Sequence, residues 1–438
     1  MRSLIRSVAA ALALFAPIAA AQDDPGEGTL TAIHCGTLLS VPGEEPIERA
    51  TLLIEGDTVK GYVPNAFVTP EGADVIDLTD RFVMPGFIDC HTHLTGELQP
   101  MGVRLRRTLT EDSTHRAIDG TVYARRTLMA GFTTVRNVGS AGPDIYALRD
   151  RINAGFLPGP RILAAGKSIA VTGGHADSTN GISPVLRPEV GPMQGIADGP
   201  YEMRKAVRER AKQGSDLIKI TATGGVLSNT AAGTEQQMFE DEIRAVVETA
   251  ATMGRKVAAH AHGTNGIKAA IRGGVHSIEH GTYLDDEAIE LFKEHGCYLV
   301  PTIHAGKYVA EKAEDPEYFN EAIREKAAAV GPVIQGAFGR AWAGGVKIAF
   351  GTDVGVGEHG TNWLEFVYMT EAGMPNDAAL HSATVAAADL LGISDTVGTL
   401  EAGKQADLVA LDGNPLDDIE ATGRVTFVMK GGVVFKDE

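Results

Sequence analysis

Two histidines, His91 and His93, lie two positions apart in the segment MPGFIDCHTHLTG, residues 84–96. The residues before them are apolar and strand-like. Because successive side chains of a β-strand point to opposite faces, both imidazoles share one face, about 6 to 7 Å apart, and Asp89 is predicted to join them there. Two neutral imidazoles at that spacing can hold one metal ion. The alternative is a pair of surface histidines on a loop.

Five further side chains that could bind metal or move a proton occur in other short apolar runs. They are Lys219 in LIKITATGG, His260 and His262 in KVAAHAHG, His280 in VHSIEHG, and Asp353 in VKIAFGTDVG. A single histidine in a strand is more often a hydrogen-bonded core residue than a ligand. That tendency does not explain why all of these residues recur near the ends of such runs, so together they predict one site.

Lys219 is the most informative of these residues. Its run is typical of a parallel strand that is buried on both faces, where an unpaired ammonium is costly. Burial lowers the pKa of a lysine and frees its amine, which can capture carbon dioxide as a carbamate and so become a carboxylate-like ligand for two metals. A lysine that extends to the end of the strand, or pairs with Asp216 or Asp353, is an equally good interpretation of the pattern.

The elements that must position these residues follow a regular alternation. Strands are predicted at 83–91, 132–139, 161–166, 217–225, 256–263, 275–281, 298–303 and 346–355. Helical periodicity fills the gaps, as in residues 201–214 and 240–254. Eight strands in βα alternation predict an α/β protein with a (β/α)8 TIM barrel, whose active site lies at the C-terminal ends of the strands.

Both ends of the chain have a different, β-rich texture with frequent Gly, Pro and Asp. We therefore predict three parts: a signal peptide at 1–21, a small β-sandwich built from 22–82 and 398–438, and the (β/α)8 barrel at 83–397. The N-terminal segment has Arg2 and Arg6, then an apolar stretch, then Ala19 to Ala21, which is the layout of a secretory signal. The stretch is too short to span a bilayer, so the mature chain is expected to be exported and free of the membrane.

Composition limits the partners. The formal charge is −18, and becomes about −20 without Arg2 and Arg6, which argues against nucleic acid and anionic membranes as partners. A small-molecule or dipeptide substrate is expected, and assembly into a homo-oligomer is left open. The three cysteines cannot form a disulfide framework, and a single bridge between Cys35 and Cys90 stays open.

The motifs together resemble those of the amidohydrolase superfamily. The resemblance rests on PGFIDCHTHL, IKITATGG, AHAHG, SIEHG, FGTDVG and the closing GTLEAGKQADLVALDGNPLDDI, and it covers nearly all of the mature chain. Within that superfamily the chain is most similar to the binuclear zinc dipeptidase and carboxypeptidase-like branch, which contains prolidase-like enzymes and ochratoxin-hydrolysing amidases.

This resemblance implies a site and a reaction. Two divalent ions, expected to be zinc, would be held by His91, His93, carboxylated Lys219, His260, His280 and Asp353. Asp353 would act as the catalytic base, and His262 would assist the developing oxyanion. His175, His262 and His304 are candidate substrate contacts, with structural loop histidines as the equally good alternative.

The implied reaction is hydrolysis of an amide or peptide bond that releases a C-terminal amino acid from a dipeptide or an N-acyl amino acid, including ochratoxin-like amides. Two alternatives are kept. One is hydrolysis of a cyclic amide or another C–N bond, as in imidazolonepropionase-like enzymes, although Lys219 counts against that branch. The other is an exported metal-binding protein without turnover.

Overall fold

The fold is that of a computed structural model, which describes residues 28–228 and 233–438. The predicted signal peptide, residues 1–21, lies outside the described residues. Fifteen strands are formed within the described ranges. They are β1 (Leu30–Leu38), β2 (Ile47–Glu55), β3 (Thr58–Val63), β4 (Asp74–Pro85), β5 (Phe87–Thr92), β6 (Phe132–Asn137), β7 (Arg161–Ala164), β8 (Ile218–Thr221), β9 (Val257–Ala261), β10 (Ser277–His280), β11 (Tyr298–Val300), β12 (Lys347–Ile348), β13 (Leu408–Leu411), β14 (Val425–Lys430) and β15 (Val433–Asp437).

Both ends of the chain build one β-domain, as the sequence predicts. Its seven strands form a continuous sheet in the order β15-β14-β13-β4-β1-β2-β3. Leu52 of β2 and Phe427 of β14 belong to one buried apolar cluster, although their strands are far apart in the sheet. The predicted sandwich therefore takes the form of one sheet that curls over its own core. β4 crosses the predicted domain boundary between residues 82 and 83, and that boundary stays a prediction.

The eight predicted barrel strands correspond to β5 through β12. All adjacent strands within this group pair in parallel, in one set of three (β5-β6-β7) and one of five (β8 to β12). Backbone hydrogen bonds join the two sets at both seams. Ile169 N donates to Lys219 O at 2.8 Å beside β8, and Asp353 N donates to His91 O at 2.8 Å beside β5. The strands thus enclose a barrel, and the second seam brings Asp353 next to His91.

Twelve α-helices occur in the described ranges, most of them following barrel strands. They are α1 (Met101–Thr110), α2 (Ser113–Met129), α3 (Asp144–Asn153), α4 (Gly199–Lys212), α5 (Glu240–Ala251), α6 (Thr264–Arg272), α7 (Asp286–His295), α8 (Ile303–Lys312), α9 (Glu321–Ala343), α10 (Leu364–Glu371), α11 (Asn376–Ser382) and α12 (Val385–Leu391). Among the helices described, none combines the length and apolar character needed to cross a membrane.

The cysteine side chains are buried as free thiols. Cys35 belongs to the core of the β-domain, whereas Cys90 belongs to an apolar cluster of the barrel. Burial raises the pKa of each of these two thiols to about 12. The structure therefore does not form the Cys35–Cys90 bridge that the sequence left open.

Candidate metal centre

Three candidate ligands, here called the aspartate cluster, meet at the seam between β12 and β5. They are His91, His93 and Asp353. Asp353 Oδ1 lies 3.2 Å from His93 Nε2 and 3.6 Å from His91 Nε2. Two ligand atoms that bind one tetrahedral ion at about 2.1 Å are about 3.4 Å apart. These separations therefore fit a shared divalent ion.

A second group, here called the histidine cluster, contains His260 on β9, His262 directly after β9, and His280 at the end of the neighbouring β10. Ring centroids are 4.7 Å apart for His260 and His280, and 4.8 Å apart for His262 and His280. The ligand nitrogens of all three lie within 4.8 Å of one another. His280 is also 5.1 Å from the His91 ring, so the two clusters are adjacent. Sequence reasoning placed His262 among the catalytic and substrate-binding residues. The structure also brings its ring nitrogen close enough to those of His260 and His280 for the three to hold one metal ion.

Hydrogen bonds to the second ring nitrogen orient the candidate ligands. His91 Nδ1 donates to Glu279 Oε2 at 2.7 Å, and His93 Nδ1 donates to Gly139 O at 2.9 Å. The opposite nitrogen, Nε2, is then left with its lone pair directed at Asp353. In His260 the two ring nitrogens exchange these roles, because Nε2 contacts Gly224 O at 3.2 Å and Nδ1 is left as the ligand atom.

The Glu279 carboxylate is the centre of a buried network beneath the aspartate cluster. It accepts hydrogen bonds from Arg136 Nη2 at 2.8 Å and from Ser277 Oγ at 2.6 Å. Arg136 also donates to Cys90 O at 2.5 Å, which ties the network to β5 beside His91. Burial acts to raise the pKa of Glu279, but the charges of Arg136 and Lys219 and the bond from His91 hold it below its usual value. Glu279 therefore stays ionised and fixes the His91 ring.

Burial also keeps four of the candidate imidazoles neutral. It is the largest cause that lowers the pKa of His91 to about 4 and that of His262 to about 3. The pKa values of His260 and His280 lie well below the ordinary histidine value for the same main reason. Neutral imidazole is the form that binds metal, so these side chains need lose no proton at neutral pH.

Lys219 lines the same cavity and is 4 % exposed. Neither alternative ion pair forms: Asp216 binds Arg149 at 2.7 Å, and within the described ranges no carboxylate lies within 4 Å of Lys219 Nζ. Burial lowers the pKa of Lys219 to about 8. Carboxylation of this amine stays a prediction.

Three residues at the site have a positive backbone φ angle, which is rare for residues other than glycine. The φ angles are 75° at His280, 54° at Thr302 and 60° at Asp353. Thr302 Oγ1 lies 2.7 Å from His280 Nδ1, so one strained residue orients another. Strain of this type persists where the surrounding structure imposes a functional geometry.

The remaining predicted residues occupy different positions. His175 lines the cavity, and its ring stacks on His260 with the centroids 4.2 Å apart. The His304 ring contacts Thr361 Oγ1 through Nε2 at 3.0 Å and is not part of the cavity lining. Asp89 does not join the two histidines as predicted, because it accepts hydrogen bonds from Thr352 and Asn362 in the interior. Substrate contact stays a prediction for His175, His262 and His304.

The donor set fits divalent metal ions. Asp353 Oδ1 is buried and, within the described part of the chain, accepts no well-aligned hydrogen bond. Although burial acts to raise the pKa of Asp353, the neighbouring His91 and His93 hold it below its usual value, so it is a carboxylate. Imidazole and carboxylate ligands suit zinc and related ions. The cavity has a volume of about 250 Å³, which suits a small substrate.

Sequence reasoning missed the residues that hold the ligands. Glu279 and Arg136 are charged residues within runs that otherwise read as buried strands, in SIEHG and FTTVRNVG. The argument that singled out Lys219 applies to them equally, because a charge in a buried strand needs a partner. No comparable signal identifies Thr302 or Gly139.

Comparison with known proteins gives a consistent result along the whole chain. The sequence model of the Amidohydrolase family matches residues 82–435. Ochratoxinase from Aspergillus niger is 33% identical over 445 residues, which cover 96% of this chain and 89% of that protein.

Two solved structures share the fold closely. The crystal structure of a Xaa-Pro dipeptidase with methionine bound in its active site has a TM-score of 0.90 and 47% identity, covering 93% of this chain and 100% of that one. The crystal structure of a prolidase in complex with N-methylphosphonate-L-proline has a TM-score of 0.84 and 33% identity, covering 94% and 100%. Both likenesses include the barrel and the β-domain.

Proposed function

This chain belongs to the amidohydrolase family and is a hydrolytic enzyme acting on C–N bonds, and from that premise we propose that it is a binuclear metallohydrolase that releases a C-terminal amino acid from dipeptides or N-acyl amino acids. One observation carries the proposal. Two ligand clusters and a buried, unpaired lysine converge on one small cavity. The identity of 47% with a Xaa-Pro dipeptidase supports the dipeptide class of substrate.

We propose that His91, His93, Asp353, His260 and His280 hold two ions, zinc in the native enzyme, and that Lys219 joins both as a carbamate. Bound ions of this kind supply an activated water near neutral pH and polarise the scissile carbonyl. The burial of the Lys219 amine without a carboxylate partner supports its role, since a carbamate would convert an unpaired cation into an anionic ligand.

The chain's own groups would perform the proton transfer. The Asp353 carboxylate accepts the proton of the attacking water and passes it to the departing nitrogen. His262 faces the same cavity, and its Nδ1 is held by Thr282 Oγ1 at 2.8 Å, so its Nε2 is positioned to contact the carbonyl oxygen of the substrate. Glu279 keeps the His91 ring in the orientation that the site needs.

Export is a further part of the proposal. Arg2, Arg6 and the apolar stretch that ends at Ala21 support a secreted or periplasmic protein. The metal-carrier alternative is set aside, because the chain belongs to a family of hydrolases and matches hydrolytic enzymes along its length.

A substrate panel tests the proposed function. We expect hydrolysis of Xaa-Pro and Xaa-Met dipeptides or of N-acyl amino acids such as N-benzoyl-L-phenylalanine, measured as the amino acid released. The matching C-terminal carboxamides should be at least about tenfold poorer in kcat/KM, because a charge-assisted contact to the carboxylate is lost.

Equal rates for the acids and their amides would contradict this substrate class. Hydrolysis of a cyclic imidazolone in preference to every linear amide would instead favour the imidazolonepropionase-like alternative. The panel therefore separates the two reactions that the sequence left open.

A further inference from the structure

We propose that Lys326, on α9, binds the free C-terminal carboxylate of the substrate. The assignment rests on the proposed function, which requires a cation for that carboxylate. The Lys326 side chain belongs to neither ligand cluster. Its position and its hydrogen-bond partners make it the candidate cation for the substrate.

Lys326 lies on the stripe of α9 that faces the cavity. Val330 and Ile334, one and two turns further along the helix, line the cavity wall. Residues at i, i+4 and i+8 share one helix face, so Lys326 lies on the same face of α9 as these two lining residues, about 6 Å along the axis from Val330.

Two hydrogen bonds fix the Lys326 ammonium near the cavity-lining residues His175 and His262. Lys326 Nζ donates to Gly225 O at 3.1 Å and to Ser228 O at 2.6 Å. Gly225 lies directly against the His175 ring, because a Cβ there would come within 2.2 Å of its Cε1. The charge of Lys326 accordingly acts on both His175 and His262.

Counted over the described residues alone, the hydrogen-bonding capacity of Lys326 Nζ is incomplete. A lysine ammonium has three donors, and the two carbonyls use two of them. Among the described residues no carboxylate lies within 4 Å of Nζ, and burial is the one cause that shifts its pKa, downwards. A half-buried cation with a spare donor and no counter-ion matches a carboxylate ligand.

Three other cations near the cavity have partners or other roles. Arg136 is 2 % exposed, and each of its three nitrogens donates to Glu279, Ser277 or Cys90 O. Lys219 is assigned to the metals. Lys307 on α8 pairs with Glu371 at 3.2 Å and lies over the Tyr368 ring. Lys167, next to the cavity-lining Ser168, likewise forms no ion pair within the described residues. Lys326 is preferred because two carbonyls of the loop after β8 hold its Nζ beside the His175 ring.

The surface between this anchor and the ligand clusters is apolar. Val226 and Leu227 come from the loop after β8, and Val309 comes from α8. The carboxylate carbon of a dipeptide is joined to the scissile nitrogen through Cα alone and lies about 2.5 Å from it. An apolar side chain on that terminal residue would therefore fill this wall while its carboxylate meets Lys326.

The test measures binding of L-methionine and L-methioninamide by calorimetry, which does not need turnover. Wild type should prefer the acid. Lys326→Gln, which keeps neutral donors for the two carbonyls, should weaken binding of the acid by about 10- to 100-fold and that of the amide by less than about twofold. Lys326→Arg should retain most of the preference, and the matched control Lys307→Gln should leave it unchanged.

Equal weakening of acid and amide in Lys326→Gln would overturn the assignment and show that Lys326 only pins the 225–228 loop. Unchanged binding of the acid would overturn it too. If acid-selective binding depends on Lys326 while no dipeptide or acyl amino acid is hydrolysed, the assignment stands and the proposed function fails.

Discussion

Replacing Lys219 by alanine is expected to lower kcat/KM by more than about 100-fold and to reduce the bound metal. Substitution of residues that merely support a ligand costs 10- to 100-fold in metal affinity or activity, so loss of a bridging ligand should cost more. Lys219 is buried in β8 and lines the cavity beside both clusters. Activity assays and elemental analysis of the purified variant would measure both effects.

Two controls make the Lys219 result specific. A small carboxylate such as propionate should partly restore activity in Lys219→Ala, because it can enter the vacated space as a ligand. Lys219→Arg should stay inactive, since a guanidinium does not form a carbamate. Full activity in Lys219→Arg would show that the carbamate is not needed.

Asp353→Asn is expected to keep the fold and much of the metal but to lower kcat by at least about 10²-fold, the lower range for loss of general acid–base catalysis. The amide retains the size and the Oδ1 ligand atom but cannot take a proton. KM should change much less than kcat, because binding of the substrate does not depend on this proton transfer. The comparison requires steady-state kinetics on protein whose metal content has been measured.

A metal-replete Asp353→Asn enzyme within a few-fold of wild type would move the base elsewhere. His262 is then the next residue to test, since it faces the same cavity. The acidic limb of the wild-type pH profile reports the ionisation of the whole ligand assembly and does not belong to Asp353 alone.

Much of the fold follows from periodicity. All eight barrel strands overlap predicted runs, because strands buried on both faces read as short apolar segments between amphipathic helices. The observed strands are shorter, as with β12, which spans only Lys347–Ile348 where 346–355 was predicted. The residues beyond it form the strained turn at Asp353, and periodicity cannot anticipate positive φ at that residue.

Sequence reasoning about the site succeeded for residues whose chemistry is conspicuous and failed where tertiary contacts decide. Asp89 was assigned to the ligand face from strand alternation, but its carboxylate binds Thr352, more than 250 residues away in the chain. His304 follows a strand end, yet its ring lies against Thr361 outside the cavity lining. Lys326 has no motif around it, and its hydrogen bonds to Gly225 O and Ser228 O arise only from the packing of α9 against the loop after β8.

The most direct test of the account is a zinc titration of metal-free protein, with hydrolysis of a dipeptide substrate followed at each step. The proposed binuclear site, in which both ligand clusters share Lys219, predicts two results. The stripped protein should be inactive, and activity should rise to a plateau at two zinc ions per chain. Full turnover in protein shown by elemental analysis to contain no metal, or a plateau at one ion, would contradict the binuclear site on which the proposed function depends.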